Sequence, residues 1–401
     1  MRTGLPDRNP DRRRSDRALE AYRAPFGCQL GGPARPCVLG NRPRRGHGQR
    51  RQSSAARRQI RPRRARPRLP AMAAGQDQLR VGLRQGRLRF GRRAPRPSSF
   101  GETPMNRRYA YFPGCSAKGT CQELDVSTAA VANRFGIELS PLENPGCTGA
   151  REFRAISELV HLTANGRIIA KAERMGRDLV VVCDTCLLNL VEANAKLKAD
   201  AEWRRAVNDA LSAEGLEFKG TIAVKHFLWV LTDDLGPDVL RKNIVRPLRG
   251  LKVAPFYGCH IQRPVAAHGS RAEEKPALDR LCELLGATVV QYEGASRCCG
   301  FHVVAAEEKI ALNMSGSHLG NAKDGGAHCV VTPCPLCHTV FDAYQPDIER
   351  AKNRSLGLPI LHVSQMVGLA IGLSAEALAL SRHVVECGDM LAHIPQASGA
   401  A

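Results

Sequence analysis

From residue 109 onward this chain carries one pattern twice. The segment YAYFPGC (109–115) returns as VAPFYGC (253–259), FGIELSPLENPGCTG (135–149) as LGATVVQYEGASRCCG (285–300), and DLVVVCDTC (178–186) as HCVVTPCPLC (328–337). Cys115, Cys147 and Cys183 thereby match Cys259, Cys299 and Cys334, in the same order and at offsets of 144, 152 and 151 residues. A repeat of that length means one supersecondary unit used twice. Within each copy, short apolar runs rich in valine and aromatic residues alternate with longer helical patterns; in the second copy the runs are KVAPFY, TVVQYE and HCVVT. Buried strands alternating with helices require a parallel sheet with right-handed crossovers. The expected fold is α/β, with two similar halves related by internal duplication, each a small parallel sheet flanked by helices.

Each half reads strand, cysteine turn, helix, strand, cysteine turn, helix, strand, C-x-x-C, helix. The helices are expected near Gln122–Arg134, Arg154–Met175 and Leu187–Leu197, then near Glu274–Leu285, Val303–Lys323 and Leu336–Tyr344. The first half then occupies 105–199 and the second 251–390, with a flexible tail at 391–401. The polar stretch 200–250, with a helical run at HFLWVLTDDLG, reads as a connector. After Pro359, PILHVSQMVGLAIGL supplies a short strand and an apolar helix.

The cysteines fall just after the strands. In an open α/β sheet the carboxyl rim of the strands is where ligands gather, and the following helices point their partly positive N-termini at it. The second half carries Cys259, Cys298, Cys299, Cys334 and Cys337 in the spacing C-x38-C-C-x34-C-x-x-C. A structural zinc site closes with four ligands, one fewer than this set. Iron–sulfur clusters are held by thiolates and can be larger. A thioredoxin-type dithiol would account for Cys334 and Cys337 and leave three thiols unexplained. The spacing therefore favours an iron–sulfur centre over zinc or a dithiol.

This arrangement, duplicated and with GCH-x-x-RP after the first cysteine, closely resembles the B-type subunit of heterodisulfide reductase, the cysteine-rich CCG-domain family. The resemblance covers about residues 107–385. It implies that Cys259, Cys298, Cys299, Cys334 and Cys337 bind a noncubane [4Fe-4S] cluster that cleaves a disulfide one electron at a time. Cys298 and Cys299 would sit at the reacting centre, with His260 as a proton donor; His302 and His338 also follow cysteine turns closely, and histidine titrates near neutrality. The first half departs from the pattern: Gly146-Cys147 stands where the family has two cysteines. That leaves Cys115, Cys147, Cys183 and Cys186 for zinc or a second iron–sulfur cluster, with Cys121 as a substitute ligand. The resemblance further implies a flavin-containing A-type subunit and a ferredoxin-like C-type subunit as partners. A small-molecule or protein-bound thiol or disulfide would be the substrate. No G-x-G-x-x-G follows a strand and no P-loop is present, so electrons are expected from another subunit. Relatives in succinate, lactate, glycolate or glycerol-phosphate oxidising complexes offer a second reading, in which the cluster only relays electrons.

Charge separates off the first quarter. The formal net charge is +21, and residues 1–104 hold 27 arginines, no lysine and 6 acidic residues, so the remainder is neutral. This Arg/Pro-rich extension shows no apolar period and is expected to be disordered. An arginine-rich tail suits nucleic acid. Arginine without lysine fits better with a start at Met105, the upstream residues being translated leader, and no nucleic-acid partner is expected. No apolar run of about 20 residues is present, so no membrane span is expected. Thirteen of 15 cysteines lie after residue 104, which in a cytoplasmic protein points to metal or redox use rather than disulfides. Cys282, inside ALDRLCELLG, reads as core.

Overall fold

The structure is a computed structural model that describes residues 107–264 and 276–395. The Arg/Pro-rich extension, Cys28 and Cys37 lie outside the described residues.

Two four-stranded parallel sheets carry the fold, and their strand orders are the same. The first is β2 (Glu138–Pro141), β1 (Arg108–Phe112), β3 (Leu179–Val181) and β4 (Val224–His226); the second is β6 (Thr288–Val289), β5 (Lys252–Pro255), β7 (Cys329–Thr332) and β8 (Ile360–His362). In each, the first strand of the copy lies centrally and its register pairs it with the next two, Ala110 with Leu179 and Val253 with Cys329, for example. Central strands covered on both faces must be apolar throughout. Leu179, Val180 and Val181 have no solvent exposure, and the strand Cys329–Thr332 is buried at every position.

The duplication runs further than the sequence reading placed it. The segment 200–250, read as a connector, contains β4, the fourth strand of the first sheet, which pairs with β3 through Val180 and Lys225. Its counterpart β8 ends the second sheet in the same way. Both strands end in a buried histidine, His226 and His362, immediately before a helical segment. Val224–His226 was hard to see because three residues flanked by polar sequence leave no period to read.

The helices follow the periodicity closely. Gln122–Arg134 has the expected bounds, the long first-half helix divides into Glu152–Ile156 and Glu158–Arg174, and the C-x-x-C turns open helices at Asp184–Ala199 and Pro335–Asp342. The two halves dock through Gln122–Arg134 against the helix Val363–Ala370, where Ser127 and Ser364 hydroxyls meet at 2.7 Å. Cys282 is fully buried, its Sγ 3.7 Å from Met366 Sδ, as a core residue should be.

Candidate metal centre

The five thiols of the second half line a single tight chamber, with a cavity of about 10 Å³, together with His260 and His302. Three loops from three strand ends bring them there. Cys259 follows Gly258, whose φ of +67° lets the backbone turn against the C-x-x-C loop; a Cβ there would lie 3.0 Å from Cys337 Sγ. The Cys298-Cys299 loop turns at Gly300, φ +92°, where a Cβ would meet the Ala311 carbonyl at 3.1 Å. Cys334 is the N-cap of its helix, so Cys334 and Cys337 both sit on the first turn. Contacts run from Cys259 to Cys298, Cys298 to Cys299, Cys299 to Cys337 and Cys337 to Cys334. Cys299, Cys334 and Cys337 are buried, while Cys259 and Cys298 are half-buried at the mouth.

Such crowding splits the acidities of the thiols. Hydrogen bonds from Cys259 and Cys299, with the Gly300 N–H 3.4 Å from its Sγ, hold Cys298 far below the ordinary thiol range. Burial opposes ionisation of Cys334, yet hydrogen bonds from Cys183, Cys337 and the first-turn N–H groups of Leu336 and Cys337 bring it well below that range too. The helix N-terminus supplies those donors. Cys259 and Cys299, whose protons serve Cys298, are pushed up chiefly by that same bond. Cys337 is likewise pushed up, by its bonds to Cys299 and Cys334, so two of the five sulfurs, Cys298 and Cys334, are held toward the anionic form that ligates metal.

His260 reaches across to the first half, its Nδ1 2.8 Å from Thr185 Oγ1, and burial lowers its pKa. His302 lies beside it, ring centroids 5.7 Å apart, with Nδ1 3.7 Å from Glu152 of the first half. His338 is not at the mouth; it is buried on the far side of its helix and stacks on His362. Arg297 is exposed and faces Glu293.

In the first half Cys115 and Cys147 lie 3.9 Å apart, both exposed, and the hydrogen bond from Cys147 lowers Cys115 to about 7. Cys186 is within electrostatic reach of Cys115. Cys183, expected as a fourth member, bonds both Cys186 and Cys334, so the two C-x-x-C turns meet back to back across the halves. Cys121 is not brought to this group: its Sγ lies 3.1 Å from Thr339 Oγ1 and 3.6 Å from the Pro335 carbonyl, in the second half.

The register of the degenerate motif also differs from the sequence reading. Gly149 N–H points at Cys147 Sγ at 3.3 Å as Gly300 N–H points at Cys298 Sγ at 3.4 Å, and both glycines are left-handed. Asn165 donates to the Thr148 carbonyl as Ser315 donates to that of Cys299. Cys147-Thr148-Gly149 therefore matches Cys298-Cys299-Gly300. The position without a thiol is Thr148, whose hydroxyl lies 3.4 Å from Cys186 Sγ, and not Gly146. Pairing Cys147 with Cys299 hid this; the shared loop conformation sets it, and Cys147 with Cys298 then keeps the same 151-residue offset as Cys183 with Cys334.

Sequence reasoning missed the residues that hold the Cys298-Cys299 loop: Ser315 Oγ donates to the Cys299 carbonyl at 2.7 Å, and His318 Nε2 lies 3.1 Å from that of Cys298. Their three-residue spacing places them on one helix face, but nothing local marks that face as the one against the loop. Asp184, buried with neither carboxylate oxygen hydrogen-bonded among the described residues and Oδ1 3.6 Å from His226 Nε2, was also unseen.

Known proteins share this layout. The cysteine-rich domain profile matches at residues 109–191 and 253–342. The chain is 38% identical over 283 residues to an 8-methylmenaquinol:fumarate reductase membrane anchor subunit of Wolinella succinogenes, covering 70% of this chain and 98% of the relative. It is 32% identical over 295 residues to the B-type subunit of a ferredoxin/F420H2-dependent CoB-CoM heterodisulfide reductase of Methanosarcina acetivorans, covering 73% and 98%. A crystal structure of a hypothetical protein from Helicobacter pylori has the same fold, with a TM-score of 0.58 at 16% identity over 70% of this chain and 52% of that one. With its two cysteine-rich repeats and the Wolinella and Methanosarcina relatives each matched over 98% of their length, the chain belongs to the CCG-domain family that includes the B-type subunits of heterodisulfide reductase.

Proposed function

We propose that the chain is the iron–sulfur subunit of a heterodisulfide reductase-like complex, reducing or forming a disulfide at the second-half chamber. The observation that carries this reading is the convergence of five sulfurs, two of them strongly acidified, with two thiols at an open mouth. The donor set fits a thiolate-bound [4Fe-4S] cluster of the noncubane type, on Cys259, Cys298, Cys299, Cys334 and Cys337, which when bound supplies one-electron chemistry beside the substrate sulfur. His260 and His302 stand at the same mouth. His260, oriented by Thr185, is placed to give a proton to a departing thiolate. Cys115, Cys147, Cys186 and Cys183 offer a second thiol site for zinc or another cluster. The reductant would come from a flavin-containing A-type subunit and a ferredoxin-like C-type subunit, in the cytoplasm. Among the described residues no helix is long and apolar enough to cross a membrane.

A second reading, an electron relay in a dicarboxylate-linked oxidoreductase, is favoured by the 38% identity to a fumarate reductase subunit. The two separate in one experiment. Anaerobically purified protein, oxidised and incubated with thiol, should give a thiol-induced EPR signal on the catalytic reading and none on the relay reading. Cys298→Ser should abolish that signal while Cys282→Ala retains it. A signal unchanged in Cys298→Ser would overturn the ligand assignment.

A further inference from the structure

Away from both thiol sites, four metal-ligating side chains meet in the seam between the halves. Cys121 and Glu123 come from the start of the helix Gln122–Arg134 in the first half, and His338 and His362 from the second. Their relative exposures are 0, 1, 1 and 0%, and one ligand atom from each lies within 4.8 Å of all the others. No part of the thiol chemistry described above uses them.

The geometry points to a tetrahedral zinc site formed by Cys121 Sγ, Glu123 Oε1, His338 Nδ1 and His362 Nε2. The distances carry this. Zinc bond lengths give a tetrahedron edges of about 3.6 Å between sulfur and nitrogen and about 3.4 Å between nitrogen and oxygen. Cys121 Sγ lies 3.9 Å from His338 Nδ1, His338 Nδ1 lies 3.8 Å from Glu123 Oε1, and His362 Nε2 lies 3.3 Å from Glu123 Oε1. The same atom of His338 and the same oxygen of Glu123 serve in each pair, and the remaining pairs lie within 4.8 Å. Contraction by a few tenths of an ångström brings the three measured edges to zinc values.

The surroundings hold three of the four ligands from behind, while His362 Nδ1 has no hydrogen-bond partner among the described residues. A ligating histidine donates its other ring N–H to a fixed acceptor, and a ligating carboxylate is itself held from behind. With His338 Nδ1 turned to Cys121 and Glu123, its other ring nitrogen, Nε2, lies 3.4 Å from His383 Nδ1, which can accept its N–H. Glu123 turns its other oxygen to Arg382 at 3.5 Å. The Thr339 hydroxyl, which donates to the Pro335 carbonyl at 2.8 Å, lies 3.1 Å from Cys121 Sγ and can rotate toward it once the thiolate forms. One thiolate, one carboxylate and a divalent ion sum to zero charge, which suits a dry pocket where an unbalanced charge would be costly. Mixed sulfur, imidazole and carboxylate donors in a closed four-fold shell select zinc over calcium or magnesium. On binding, the Cys121 thiol releases its proton to solvent. Because each half supplies two ligands, the ion would staple the halves and be enclosed as they dock.

The test uses the full chain carrying Cys115→Ser and Cys147→Ser. Both positions are exposed, and their loss removes zinc bound by the first thiol site. Grown with added zinc, this protein should hold about one zinc per chain, and zinc-edge X-ray absorption should find one sulfur and three nitrogen or oxygen neighbours. Adding Cys121→Ala should lower zinc at least tenfold with iron unchanged. A folded chain without zinc, an all-sulfur shell, or zinc unaffected by Cys121→Ala would overturn the proposal. Should Cys121→Ala fail to fold, the absorption spectrum of the parent decides.

Discussion

Gly258 offers a quantitative test of the chamber. Its φ of +67° costs an L-residue about 1–2 kcal/mol. An alanine Cβ would also sit 3.0 Å from Cys337 Sγ, tighter than nine in ten real contacts, so the sulfur must give way in a packed site where overfilling costs about 1–3 kcal/mol. Gly258→Ala should therefore lose about 2–5 kcal/mol in total. Gly357 is the control: its φ is +53° and a Cβ there meets nothing within 4 Å, so Gly357→Ala bears only the backbone cost. Anaerobic urea unfolding of the two variants should separate them by about 1–3 kcal/mol. Iron and acid-labile sulfide should fall in Gly258→Ala alone, because the displaced sulfur is one of the five. Domains of ordinary stability, about 5–15 kcal/mol, survive such a loss, so the comparison can be read on folded protein. Equal destabilisation in the two variants, or full iron in Gly258→Ala, would refute the placement of Cys337 against the Cys259 turn.

Two further outcomes follow from particular side chains. Thr148→Cys restores the missing thiol at a buried position matching Cys299 and should raise iron by about four atoms per chain; unchanged iron in folded protein would argue that the first site is built for another metal. His226, buried beside Asp184, is held down to about 4 by burial, against an ordinary value of 6.5. The unfolded chain takes up a proton below pH 6.5 that the folded ring refuses until about pH 4. The His226 contribution to stability should thus fall as pH drops through that window, by up to about 3 kcal/mol, while Asp184, whose carboxyl burial pushes up, contributes in the opposite sense. His226→Gln should flatten that slope in urea titrations between pH 6.5 and 4.5, and an unchanged slope would place the proton uptake elsewhere.

The amino-acid sequence alone determined that there are two α/β halves and that five sulfurs of the second converge, since strands of a parallel sheet end on one rim and the thiols follow the strands. It also separated the neutral body from its arginine-rich extension. Tertiary structure alone decided the rest. The loop conformation settled the match of Thr148 to Cys299, where the sequence reading had paired Cys147 with Cys299 and so placed the gap at Gly146. The back-to-back contact of Cys183 with Cys334, and the meeting of Cys121 and Glu123 with His338 and His362, join residues more than 150 positions apart. Periodicity specifies which face of an element is buried but not which face of the other half it meets, because that is set by how two finished surfaces pack.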